Sequence, residues 1–124
     1  MRASRSVVGI AALWMLACSR EPEAPPTPVW ERVQADATLE EGRKVFVGTC
    51  RRCHAYGLEG APRVGDADAW KARIAGRPEE ALIRSALTGV QGKAGGEMPA
   101  RGGNEQLSDR EVALAVRFML AASR

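Results

Sequence analysis

The sequence predicts an all-α domain in which the first and last helices cross and shorter helices and loops fill the space between them. Three observations carry this. Thr38 with Glu41, and Ser108 with Glu111, have the spacing of capping boxes, which mark a helix start near each end of the domain. The stretch between them is punctuated by glycine and proline, so its helices must be short. Around Cys50 and Cys53 the sequence is helical and glycine-rich, with no strand pattern.

The first helix should start at Thr38, with Leu39, Gly42, Val45, Phe46 and Thr49 on one face and Arg43 and Lys44 outside. A glycine inside a helix costs about 1 kcal/mol relative to alanine, so Gly42 predicts the close approach of another helix. Residues 55–65 read as a loop because Gly57, Gly60, Pro62 and Gly65 interrupt them. Asp66 or Asp68 then caps a short helix bearing Trp70 and Ile74, which closes at Gly76. Pro78, at a first helical position before Glu79 and Glu80, opens the next helix. Its apolar stripe is Leu82, Ile83, Ala86 and Leu87, and Gly89 stops it. Residues 90–106 are glycine-rich and read as one long loop, of the kind that is usually functional in so small a domain. In the last helix Val112, Ala115, Val116 and Met119 line one face, and Leu107 with Val112 occupies the positions of a hydrophobic staple. A helix this apolar must dock, and its natural partner is the first helix, with Phe118 near Gly42 and Phe46.

The run Cys50-Arg51-Arg52-Cys53-His54 carries the chemistry. Cys-x-x-Cys-His is the attachment sequence of c-type haem: two thiols add to neighbouring vinyl groups and the adjacent imidazole reaches the iron. Other uses of the two thiols fit less well. A zinc site needs about four ligands, whereas the chain has one histidine and three cysteines, one of them far upstream. A redox dithiol would want a βαβ setting, and a disulfide between Cys50 and Cys53 would close a very small loop. A second axial ligand is offered by Met98, at the centre of the glycine-rich loop. Met119 is the rival thioether, although its helical stripe reads as core; a Met98 that simply packs on its loop is the alternative.

Residues 1–17 read as a signal peptide. Arg2 and Arg5 precede an apolar run of eleven residues, Val7 to Ala17, shorter than the roughly 20 a membrane span needs. The run ends Met15-Leu16-Ala17-Cys18, which resembles a bacterial lipobox and makes Cys18 the expected lipid attachment site; cleavage near Ala17 by the ordinary route is the alternative. Lipidation would also account for a third cysteine that haem attachment does not use. Residues 18–35, with Pro22, Pro25, Pro26 and Pro28, read as a proline-rich tether whose end, at Trp30 and Val33, is apolar enough to pack; residues 36–124 form the domain. The chain counts 18 basic against 15 acidic side chains, but Arg2 and Arg5 lie in the leader, leaving 16 against 15. With two haem propionates added the mature protein is near neutral, which argues against a nucleic-acid partner.

From Leu39 to Leu120 the sequence resembles the class I cytochromes c, and among them the small bacterial cytochromes of the c-five type. Gly42 and Phe46 precede Cys50 by eight and four residues as in that class, and Phe118 matches its aromatic on the final helix. Gly60-Ala61-Pro62-Arg63-Val64-Gly65-Asp66 with Trp70, and Met98-Pro99-Ala100-Arg101-Gly102-Gly103-Asn104 with Leu107-Ser108-Asp109, resemble its two characteristic loops. The resemblance implies a small class I cytochrome c fold around one covalent haem c, with thioethers at Cys50 and Cys53 and axial ligands at His54 and Met98. It also implies that the Pro62 carbonyl orients the imidazole, and that Arg63 and Trp70 lie near the propionates. A His/Met iron has no open position for substrate, so the expected function is single-electron transfer between redox proteins, such as an oxidase, a reductase or a quinol-oxidising complex. The expected location is the periplasmic side of a bacterial membrane. A gas sensor or peroxidase-like domain with a displaceable methionine is the alternative, and an interaction module with unmodified cysteines is a further one.

Overall fold

The computed structural model describes residues 26–92 and 96–124. The expected signal peptide, Cys18 and the first part of the tether lie outside them. Six α-helices are present among the described residues: α1 (Val29–Arg32), α2 (Ala37–Val45), α3 (Arg51–His54), α4 (Ala67–Ile74), α5 (Glu79–Thr88) and α6 (Asp109–Ala122). As expected, the first long helix, α2, and the last, α6, pack on each other, with the shorter elements between them.

The end of the expected tether packs, as its apolar residues suggested. Pro28 opens the single turn α1, and Val29, Trp30 and Val33 pack against the core, with Trp30 tilted against Phe46 at 5.8 Å. Arg43 holds this segment down by donating to the Val33 carbonyl at 2.7 Å. Burial of three apolar side chains outweighs the extended bias of the prolines before them.

Helix α2 does not start at a Thr38 capping box. Asp36 is the N-cap, its carboxylate accepting from the Leu39 N–H at 2.9 Å, and Thr38 already lies in the first turn. A carboxylate two residues upstream stabilises the same orphan N–H groups and adds charge at the positive end of the helix. The helix then widens into a π-turn over Phe46–Cys50, where the Arg51 N–H reaches the Phe46 carbonyl, before tightening into α3. No spacing in the sequence announces this extra residue per turn, which places Cys50 at the end of a local change in winding and Cys53 and His54 just after it.

Helix α6 starts as expected. Ser108 accepts from the Glu111 N–H while the Glu111 carboxylate accepts from the Ser108 N–H at 2.8 Å. It crosses α2 where Gly42 lies against the Leu114 carbonyl and Phe118, so close that any Cβ at Gly42 would run into the backbone of α6. Phe46 and Phe118, both fully buried, meet beside this point at 5.5 Å and 48°. The chain ends against the same core: the Ser123 hydroxyl accepts from the Gly65 N–H at 2.9 Å, and Val29 covers the other side of Gly65.

Between the crossing helices, Asp66 rather than Asp68 caps α4, accepting from the Ala69 N–H at 2.9 Å. Pro78 is the N-cap of α5, one residue before the first helical position, and Gly89 terminates α5 at φ 88°. The segment read as one long loop has structure of its own. Val90–Gln91 (β1) and Glu97–Met98 (β2) form a two-residue antiparallel ladder, Val90 opposite Met98, and Ala100–Gly103 makes a 3-10 turn. Two residues per strand are too few for alternation to be visible in sequence.

Candidate functional site

A cavity of about 250 Å³ lies between α3, α5, α6 and the two loops, and Cys50, Cys53, His54 and Met98 all line it. The π-turn and α3 supply the first three, because α3 carries Cys53 and His54 on the turn that follows Cys50. β2 supplies the fourth. The rest of the wall is largely apolar, with Leu82 and Ala86 from α5 and Val116 and Met119 from α6.

His54 is buried and fixed on several sides. Its Nδ1–H donates to the Pro62 carbonyl at 2.9 Å, and its own backbone carbonyl accepts from the Val64 N–H at 2.7 Å. The Trp70 ring stacks beside it at 6.1 Å and 27°. Burial pushes the imidazole pKa below its usual value, against the opposing bond to Pro62, and nearby Arg73 lowers it further. The ring is therefore neutral at pH 7, with Nδ1 occupied and the Nε2 lone pair free for a metal.

Cys50 and Cys53 are not joined in a disulfide. Before haem attachment, burial pushes the Cys50 thiol up to about 11, which denies it the thiolate character of a redox dithiol. Among the described residues no three His, Cys, Asp or Glu side chains come together to hold a metal ion by themselves. Met98 is half-buried and packs against the core instead of standing exposed in a flexible loop. Met119 is buried in that core and also faces the cavity, so both thioethers expected from sequence lie on its wall.

The two residues expected near propionates have other partners. Trp70 is on the wall, but its single N–H donates to the Arg63 carbonyl at 2.9 Å, and the Arg63 side chain lies by Gly57, away from the wall. Among the described residues the cations on the wall are Arg52, Arg73 and Arg77, which the sequence reading missed. Arg73 donates to the Gly60 and Ala69 carbonyls, and Arg77 to the Ala81 carbonyl and the Ser85 hydroxyl. Neither has a carboxylate partner among the described residues. Part of the signal was present: Arg73 follows Trp70 by three residues, on the same face of α4, whereas Arg77 lies beyond the end of that helix.

A thiol pair, a neutral imidazole and a thioether around an apolar cavity with unpaired cations are the donors that covalent haem requires. Residues 37–119 match the family described as cytochrome c oxidase, cbb3-type, subunit III. The chain belongs to this family of c-type cytochromes. It is 40% identical over 83 residues to cytochrome c-555 of Chlorobaculum tepidum, covering 67% of this chain and 75% of that one. It is 34% identical over 79 residues to cytochrome c5 of Azotobacter vinelandii, covering 63% and 89%. A chain in the crystal structure of an electron transfer complex of nitrite reductase with cytochrome c superposes with a TM-score of 0.59 at 34% identity, over 73% of this chain and all of that one. The cytochrome is a monohaem electron carrier with one covalent haem c.

Proposed function

We propose that the protein passes single electrons between redox proteins with both axial positions of its iron filled, by His54 and Met98, and with Cys50 and Cys53 as the thioether attachments. The observation that carries this reading is the convergence of these four side chains on one cavity. Bound haem supplies a one-electron couple, whose potential a thioether ligand raises. The chain's own contribution is to hold its ligands still and keep water out. The Pro62 carbonyl and the Trp70 ring fix the imidazole plane, the pairing of Met98 with Val90 fixes the loop, and α5 and α6 supply dry walls. Arg73 and Arg77 are the cations best suited to the two propionates, in place of Arg63 and Trp70.

With both axial positions filled, no site is left for substrate, which favours a carrier over a gas sensor or peroxidase. Leu58 and Val90 are 49% and 42% exposed on the cavity rim, an apolar surface suited to a small transient contact with an oxidase, reductase or quinol-oxidising complex. Ferrous protein mixed with carbon monoxide tests the ligand set. An unchanged spectrum is expected, and rapid binding would indicate a sensor or peroxidase-like site.

The protein is exported and anchored at Cys18 on the periplasmic side of a bacterial membrane. The sequence Met15-Leu16-Ala17-Cys18 followed by prolines supports this reading. An intact mass with an acyl increment, and release from the membrane fraction in Cys18→Ala, are the expected results. Equal fractionation of the two forms without an acyl mass would end it.

A further inference from the structure

We propose that Arg101 is the positioning residue that keeps the Met98 thioether at the cavity wall, by clamping the methionine loop to the start of α6. The inference rests on the reading of Met98 as an axial ligand.

The ladder with β1 and the turn bonds from the Gly102 N–H to the Pro99 carbonyl and from the Asn104 N–H to the Arg101 carbonyl hold the loop to β1 and to itself, and neither ties it to α6. Met98 sits at the last residue of a two-residue ladder, and Pro99 beyond it has no N–H to extend the pairing. Arg101, Gly102 and Gly103 then run through the left-handed region, at φ 54°, 65° and 82°. Glycine adopts that conformation freely, whereas an L-residue keeps it only where its surroundings impose it. For Arg101 those surroundings are two bonds to a single region. Nη1 donates to the Leu107 carbonyl at 2.8 Å and Nη2 to the Asp109 carboxylate at 2.6 Å. Leu107 and Asp109 flank Ser108, the N-cap that fixes the start of α6.

The placement of the side chain links this clamp to the thioether. Arg101 is only 28% exposed and lines a narrow apolar cleft together with Met98, Met119 and Cys50. Its side chain therefore shares this cleft with the methionine while its guanidinium is fastened to the start of α6. Asp109 is 74% exposed, so solvent screens that ion pair. The charge-assisted bond to the partly buried Leu107 carbonyl is the stronger hold. A second tie, from Asn104 Nδ2 to the Thr49 hydroxyl at 3.3 Å, joins the far end of the loop to the residue before Cys50. It is long and comes after the turn, so it limits the loop without fixing Met98.

The test is exogenous ligand binding to the holoprotein, imidazole to the ferric form and carbon monoxide to the ferrous form, well below the melting midpoint. Arg101→Gly removes both bonds but takes φ 54° without strain, so the turn itself survives. Its affinity for both ligands should rise at least tenfold over the parent. Asp109→Asn, which leaves the Leu107 bond, should change it by less than threefold. Met98→Leu sets the ceiling for an open site. If Met98→Leu binds both ligands tightly while Arg101→Gly binds like the parent, the clamp is refuted and the axial reading stands. If Met98→Leu binds no better than the parent, Met98 is not the ligand, and the clamp falls with it. A shift in melting temperature in Arg101→Gly without a change in affinity would make the residue merely structural and overturn the proposal.

Discussion

Two halves of the molecule meet at Cys50. On one side α2 and α6 cross with Gly42 against the Leu114 carbonyl and two phenylalanines fully buried beside it. On the other, two loops and α5 surround a cavity and are held largely by single hydrogen bonds, such as Trp70 to Arg63, His54 to Pro62 and Arg101 to Leu107. The crossing is specified by excluded volume, and the cavity wall by directional bonds. Damage to the first should therefore appear as lost stability and damage to the second as altered iron chemistry.

Phe118→Ala should give the largest effect on stability. Truncating a fully buried aromatic costs about 3–5 kcal/mol, and here Phe46 and Arg43 lose a partner as well. Denaturant unfolding of the holoprotein should register the loss while the folded spectrum stays that of the parent. A spectrum altered at the iron would show that the two halves are not separable.

Gly42→Val should come next, because a branched side chain must push α6 away from α2. Overpacking of this kind costs about 1–3 kcal/mol, measurable in the same experiment. If the variant melts like the parent, the crossing yields more easily than its close approach implies.

Trp70→Phe probes the cavity side. It removes the indole bond to the Arg63 carbonyl, which still accepts from the Asp66 N–H at 3.1 Å, at a cost of about 0.5–1.5 kcal/mol, while keeping an aromatic beside His54. A midpoint potential shifted in Trp70→Phe but not in Phe118→Ala would sharpen the contrast. Equal shifts in both would break it.

The smallest effect is a pH dependence at the start of α6. The Ser108 hydroxyl, then its backbone N–H, hold the Glu111 carboxyl below its ordinary value of 4.5. A carboxylate depressed in the folded state contributes stability that is complete above the unfolded pKa and is lost as pH falls through the folded one. The gap in stability between parent and Ser108→Ala should thus be flat above about pH 5 and narrow on further acidification. A gap that widens in acid would assign the depression to another partner.

Much of this was legible in the chain itself. Cys50, Cys53 and His54 are adjacent in sequence, so local winding alone brings them together. Gly42, Phe46 and Phe118 lie at helical spacings that advertise a crossing, and the Ser108 capping box is purely local. Sequence by itself therefore determined the helix pair, the cofactor class and the attachment run. What the tertiary structure decided were relations between distant segments or between competing local signals. Asp36 displaced Thr38 as the first cap because its carboxylate also favours the positive end of the helix, and α1 packed because Phe46 offered Trp30 a surface. The π-turn between α2 and α3 is encoded by no periodicity. Arg73 and Arg77, not Arg63, came to face the cavity because the orientation of α4 and the start of α5 is set by the core. Arg101 looks like an ordinary loop cation until Leu107 and Asp109 are folded back beside it. Local spacing specifies what a segment is, and only packing specifies what it meets.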